Sequence, residues 1–264
     1  LKRAMQGYHD ALLELSRERD PLTWAGVQDD LGDVLRIIGD KEQDASTLQQ
    51  AIVAFNEALS ERTRERAPML WAATQSNLGT ALASLGAQKQ TIRLEEAVTA
   101  FQEALTEWTR ERAPLDWARV QNDLGRVLLR LGDRSKDIAR LRQATDAFRA
   151  ALEERRHERV RTQWALTQHN LGNALLRLGD HCKGTAELHE AVTAFRAALQ
   201  ERNRPAHPQQ WAVTQNNMGS ALAAIGVREA DRQYLQQAVE AYREVLKVRT
   251  RERTPIEWAA TQND

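Results

Sequence analysis

The sequence predicts an all-α chain organised as a solenoid of helix pairs, and three observations predict it. Trp24, Trp71, Trp117, Trp164, Trp211 and Trp258 recur at intervals of 47, 46, 47, 47 and 47 residues. Self-similarity at a fixed period of this size is the signature of stacked repeats. Within each repeat, residues 0, 4, 7, 11 and 14 places from the Trp draw one stripe along an α-helix. Alternating Val, Ile and Thr runs bounded by hairpin turns, the mark of strands, do not occur.

The first helix of a repeat begins near a proline. Pro21, Pro68, Pro114 and Pro255 each stand three places before their Trp, and the first turn of a helix has no use for the N–H that proline lacks. Ala always follows the Trp and Gln28, Gln75, Gln121, Gln168, Gln215 and Gln262 stand four places on. Leu or Met comes at seven places and Gly32, Gly79, Gly125, Gly172 and Gly219 at eight. Gly39, Gly86, Gly132, Gly179 and Gly226 close the stripe and suit a helix stop. In the second repeat this predicts a helix over 68–85, about 18 residues and ~27 Å long. The second helix carries Leu94, Ala97, Val98, Phe101, Ala104 and Leu105, again in steps of three and four. Phe55, Phe101, Phe148, Phe195 and Tyr242 are its large side chains, and charged phrases such as "ERTRERAP" lead to the next repeat. No Pro-, Gly- or Ser-rich linker interrupts the pattern. The expected organisation is one array: a half repeat (1–23), full repeats 24–70, 71–116, 117–163, 164–210 and 211–257, and the start of another (258–264).

The stretch "NLGTALASLG…LEEAVTAFQEAL" resembles a tetratricopeptide repeat through Leu78, Gly79, Leu85, Gly86, Ala97, Phe101 and Ala104. The other repeats match in phase. The resemblance implies a right-handed helix-turn-helix superhelix that binds a protein or peptide in a concave groove. The period here is longer than in the usual family member. Gln75 stands where the family's first-helix aromatic would be, and Trp71 lies about one heptad earlier. The long period and the "RTRERAP" phrase resemble arrays of large multidomain bacterial proteins. The implied setting is cytoplasmic, beside a signalling ATPase or protease module that such a region could regulate.

Lys+Arg and Asp+Glu both number 37, so nothing in the charge balance points to nucleic acid or an anionic membrane. No run of about 18 apolar residues and no signal peptide is visible. Cys182 is the lone cysteine, which excludes an internal disulfide framework and fits a reducing compartment. His181, Cys182 and His189 make too small a set for zinc. No phosphate loop, nucleophile elbow or HExxH motif occurs, so neither a cofactor nor catalysis is expected.

Function is expected where the repeats differ. By the resemblance, places two, five, nine, twelve and thirteen after the Trp line the groove. They supply Arg119, Asn122, Arg126, Arg130, His169, Asn173, Arg177 and Asn216. Arginine grips carboxylates with two parallel bonds, and asparagine offers a donor and an acceptor to a peptide backbone. The expected ligand is an acidic or carboxylate-bearing segment; the alternative is an ordinary solvated face. Trp108 replaces Arg62, Arg155, Arg202 and Arg249 of the other repeats. It is either a contact hot spot or a ring packed under the adjacent loop. The Trp–Leu stripe is expected in the core. Its glutamines would form a hydrogen-bond ladder between repeats or, failing that, contact a ligand. Exposed apolar residues of the last second helix, Ala238, Tyr242 and Leu246, suggest end-to-end self-association as a second reading. An RNA-binding repeat is disfavoured by the neutral charge and the lack of a base-reading code.

Overall fold

Each repeat folds as two antiparallel helices because its apolar residues lie on one stripe per helix and cannot be buried by one helix alone. The computed structural model describes residues 1–88 and 90–263. The first helices are α2 (Pro21–Glu42), α4 (Pro68–Ala87), α6 (Pro114–Ser135), α8 (Arg161–His181), α10 (Pro208–Arg228) and α12 (Pro255–Asn263). The second helices are α1 (Lys2–Glu14), α3 (Ala45–Glu61), α5 (Thr91–Glu107), α7 (Ile138–Glu154), α9 (Ala186–Glu201) and α11 (Arg232–Leu246). No strand occurs among the described residues. Among them, too, no helix is long and apolar enough to cross a membrane. The chain forms two compact units, Leu1–Val127 and Leu128–Asp264, which divide within α6.

In both units a second helix packs between the first helix of its own repeat and that of the next, as α3 does between α2 and α4, and α9 between α8 and α10. The first helices also touch, α2 against α4 and α8 against α10. Proline opens α2, α4, α6 and α12 as expected, and Pro208 does so in α10, whereas α8 begins at Arg161.

The glycines set the spacing within a pair. A methyl group built on Gly32, Gly79, Gly172 or Gly219 would stand 2.6–2.8 Å from the ring of Phe55, Phe101, Phe195 or Tyr242. The phenylalanines are fully buried. The second glycine series was expected to stop the helix, and the structure corrects this. Gly39, Gly132 and Gly226 lie inside their helices, facing Leu48, Leu141 and Leu235. The chain turns a few residues later, and the left-handed residues there are Gln43, Lys136 and Ala230. An aspartate follows each one, and Asp44, Asp137 and Asp231 accept backbone N–H bonds as N-caps of the second helices. These glycines are therefore kept for close packing rather than for backbone freedom.

The six periodic tryptophans are half-buried, not core. A cation from the preceding loop covers the ring and then binds the next second helix. Arg17 lies 4.7 Å from the Trp24 ring centre and 2.7 Å from Glu61. Arg64 lies 5.7 Å from Trp71 and 2.6 Å from Glu107. In the second unit His157 meets Trp164 edge-on at 4.7 Å and Glu201 at 2.7 Å. The true core is built from Ala, Leu and Phe, with Ala25, Ala72, Ala165 and Ala212 beside the tryptophans completely buried.

Gly172→Ala is expected to destabilise the chain by about 1–3 kcal/mol through overpacking against Phe195. Gly7→Ala in α1, where nothing lies within 4 Å of the new methyl, is expected to gain about 0.5–1 kcal/mol from helix propensity alone. Urea midpoints of the two variants check the contrast. Equal shifts would refute the packing role.

Candidate protein-interaction surface

The surface at issue is the face that the first helices turn away from the second helices. Beneath it runs a series of buried polar links that join successive repeats. Nine places before the Trp stands an arginine; three places after it stands a threonine. Arg62 donates to Thr74 Oγ1 at 3.0 Å, Arg155 to Thr167 at 2.9 Å, Arg202 to Thr214 at 3.2 Å and Arg249 to Thr261 at 3.1 Å. The link extends to the residue five places after the Trp of the preceding repeat. Asp29 lies 3.3 Å from Arg62, His169 lies 3.0 Å from Thr214, and Asn216 accepts from Thr261 at 2.9 Å. Burial pushes the Asp29 carboxyl above its ordinary range, against the opposing pull of Arg62, Thr74 and Asn77.

These links relocate several residues expected at the surface. Asn122, 2% exposed, and His169, 8% exposed, lie inside, and Asn216 is half-buried and bonded to Thr261. The fifth place sits on the side of the helix that meets the following repeat, so its polar groups serve the junction instead of a ligand. Arg119 folds inward: it donates to Ser76 at 3.2 Å and lies 5.2 Å from the Trp108 ring. Trp108 is 6% exposed, which places it in a packing position beneath Arg119 rather than at an open contact. Asn173 is half-buried between His169 and Asn217. Arg126, Arg130 and Arg177 are exposed. Arg126 pairs with Asp123 at 3.4 Å, and Arg177 with Asp133 at 3.3 Å and Asp180 at 3.8 Å.

The glutamine ladder is not formed. The glutamines make no side-chain hydrogen bond with one another among the described residues. Gln28 instead borders a cavity of about 460 Å³ between α1 and α3, with Leu31 and Leu35 on its floor. A second cavity, of about 400 Å³, lies over the Ala238, Tyr242 and Leu246 face, closed in part by Thr261 and Gln262 of α12; Ala238 and Tyr242, expected to be exposed, are buried. No metal-ligating cluster occurs among the described residues.

Residues 211–252 match the tetratricopeptide repeat. The helix pairs and the Gly–aromatic contacts of that segment recur in the earlier repeats. Residues 211–252 are thus a tetratricopeptide repeat, and the chain as a whole has the tetratricopeptide-repeat fold. No curated protein sequence matches it. Two solved structures share the fold. YrrB, described as a TPR protein with an unusual peptide-binding site, is 17% identical, with 92% of each chain covered and a TM-score of 0.55. BtubC from P. vanneervenii is 18% identical, with 94% of this chain and 93% of that one covered and a TM-score of 0.54.

Sequence reasoning passed over the Arg–Thr links, although a signal was present. Where the arginine is replaced, the threonine is replaced too: Leu15 goes with Val27, and Trp108 with Val120. The junction is polar on both sides or apolar on both. Trp108→Arg is therefore expected to cost about 3–5 kcal/mol, the scale of a buried charge without its partner. Adding Val120→Thr should recover a measurable part of that loss. A double-mutant cycle on urea unfolding decides it, and purely additive losses would count against the link.

His169 makes one junction sensitive to pH. Asn217 donates to Asn173 Oδ1 at 2.7 Å, which leaves the Asn173 amide nitrogen to donate to His169 Nε2 at 3.1 Å. Nε2 is thus unprotonated and Nδ1–H points to Thr214. Burial, reinforced by Arg202, holds the His169 pKa down to about 3. An unfolded histidine titrates near 6.5, so stability is intact above that pH. Below it the unfolded state takes up the proton, and stability falls by up to about 1.4 kcal/mol per pH unit until the folded value is reached. His169→Asn, which copies the residue at 122 and 216, should flatten the stability profile between about pH 6.5 and 4. Parallel profiles for variant and parent would refute this.

Proposed function

We propose that the protein is a scaffold that holds an acidic or carboxylate-bearing protein segment against the outward faces of its first helices, chiefly in residues 128–264. The observation that carries this reading is the pair Arg177–Asp133. Arg177, on α8, reaches across to α6 and holds a carboxylate at 3.3 Å, so this position already grips the group that a partner would bring. Arg130 lies one turn before Asp133 on the same helix. Residues 128–264 contain 22 Lys+Arg against 17 Asp+Glu, which favours an anionic segment over a cationic one. The peptide-binding site described for YrrB, a protein of the same fold, agrees with a role in holding peptide segments. Asn173 supports the surface through its bonds to His169 and Asn217 instead of reaching the ligand directly.

The test is affinity capture from a lysate of the source organism, comparing the parent with Arg130→Glu/Arg177→Glu at matched melting temperatures. The expected result is a partner with an acidic segment, captured by the parent and lost by the double variant. A partner held equally by both would overturn the reading. So would the absence of any partner combined with a molecular mass that rises with concentration, which is the signature of self-association through the cavity beside α12.

A further inference from the structure

Two polar links join the repeats 164–210 and 211–257 near opposite ends of α10, and they differ in their response to protons. Thr214, in the second turn of α10, and Arg228, its last residue, lie ~21 Å apart along the helix axis.

The link at Thr214 has no place for an added proton. The hydroxyl donates to the Gln210 carbonyl at 2.9 Å, and it accepts from Arg202 at 3.2 Å and from His169 Nδ1 at 3.0 Å. The other ring nitrogen of His169 accepts from Asn173, and a proton placed there would face the amide N–H and break that bond. Each neighbouring element adds a group. Helix α9 presents the Phe195 ring, 5.9 Å away, and ends at Arg202; α10 presents Thr214 and Asn217. From the end of α7, Arg155 binds Thr167, two residues before His169. On the α6 side the ion pair is Arg177–Asp133, about two turns further along α8. The charges nearest the ring, Arg202 and Arg155, are both cations, and like charge opposes protonation.

The link at Arg228 is indifferent to protons. Its Nη1 donates to three carbonyls at the end of α8 and in the loop beyond, those of Gly179 at 2.9 Å, Gly184 at 3.0 Å and Cys182 at 3.1 Å. A guanidinium keeps its charge throughout the range in which proteins fold, and peptide oxygens do not titrate there. Beside it, Glu229 accepts from Thr185 at 2.6 Å and from His189 at 2.8 Å. These bonds hold the Glu229 carboxyl below its ordinary range, so it stays ionised in mild acid.

We propose that residues 203–218, the loop before α10 and the first half of that helix, form a segment released in mild acid while residues 222–228 stay docked. Release brings water to His169, and a solvated histidine takes up a proton near pH 6.5. The imidazolium cannot return beside Arg202 without giving that proton up. A helix half that has left its neighbours does not keep its hydrogen bonds, because short isolated helices are marginal in water. The inference is independent of the reading given above for Arg130 and Arg177.

Hydrogen exchange of the whole chain between pH 7.5 and 5, corrected for the intrinsic pH dependence of exchange, tests it. The opening constant of amides 212–218 is expected to rise by up to about ten-fold per pH unit below ~6.5, with amides 222–228 unchanged. His169→Asn, which copies the residues at 122 and 216, should remove the rise. Arg228→Ala should let the rise spread to 222–228. No rise in the parent, an equal rise along all of α10, or a rise that persists in His169→Asn would overturn the proposal. The contrast between the two halves of α10 is read in the parent chain, so it decides the matter even where a variant is too unstable to measure.

Discussion

The approach of glycine to an aromatic ring within each helix pair is the constraint on which the rest depends. Gly32, Gly79, Gly172 and Gly219 leave room for a ring that a single methyl group would strike at under 3 Å. A fully buried Phe stabilises its pair by removing a large apolar area from water, but only where the two backbones come this close. That spacing fixes where the second helix lies. It thereby decides which residues of the first helix remain for the neighbouring repeat and which face outward.

The junctions between repeats follow a different chemistry from the pairs. Arg62, Arg202 and Arg249 are almost entirely buried, and a buried guanidinium is tolerated only when its donors are met. Thr74, Thr214 and Thr261 each accept from one of these arginines; Asp29 and Asn216 approach Arg62 and Arg249 as well, whereas His169 binds Thr214, and Arg62 Nε is left without a partner. The fifth-place residue varies as Asp29, His169 or Asn216, which sets the charge and the pH response of each junction separately. The loop cations over the tryptophans add a second, partly exposed connection between repeats.

The two units differ in net charge. Residues 1–127 contain 15 Lys+Arg against 20 Asp+Glu, whereas residues 128–264 contain 22 against 17. The overall neutrality of the chain conceals this division, because two opposite imbalances cancel in the total.

The sequence by itself determined the all-helical class, the pairing of helices, the repeat period and the positions of the large buried side chains. All of these follow from spacing along a single helix, which the chain order records directly. The close-packing role of Gly79 was likewise legible, since a glycine repeated inside an apolar stripe has few other uses. Only the tertiary structure decided the fates of Gly39, the six tryptophans, Asn122 and His169. Periodicity tells which face of a helix a residue occupies, but not which of several neighbours that face meets. Gly39 packs against Leu48 instead of ending its helix, and Trp71 lies half-open beneath Arg64. The fifth-place polar residues turn toward the next repeat rather than toward a ligand. Each outcome depends on contacts between residues seven to forty-five positions apart, and only the packing of helices against one another and their loops brings those residues together.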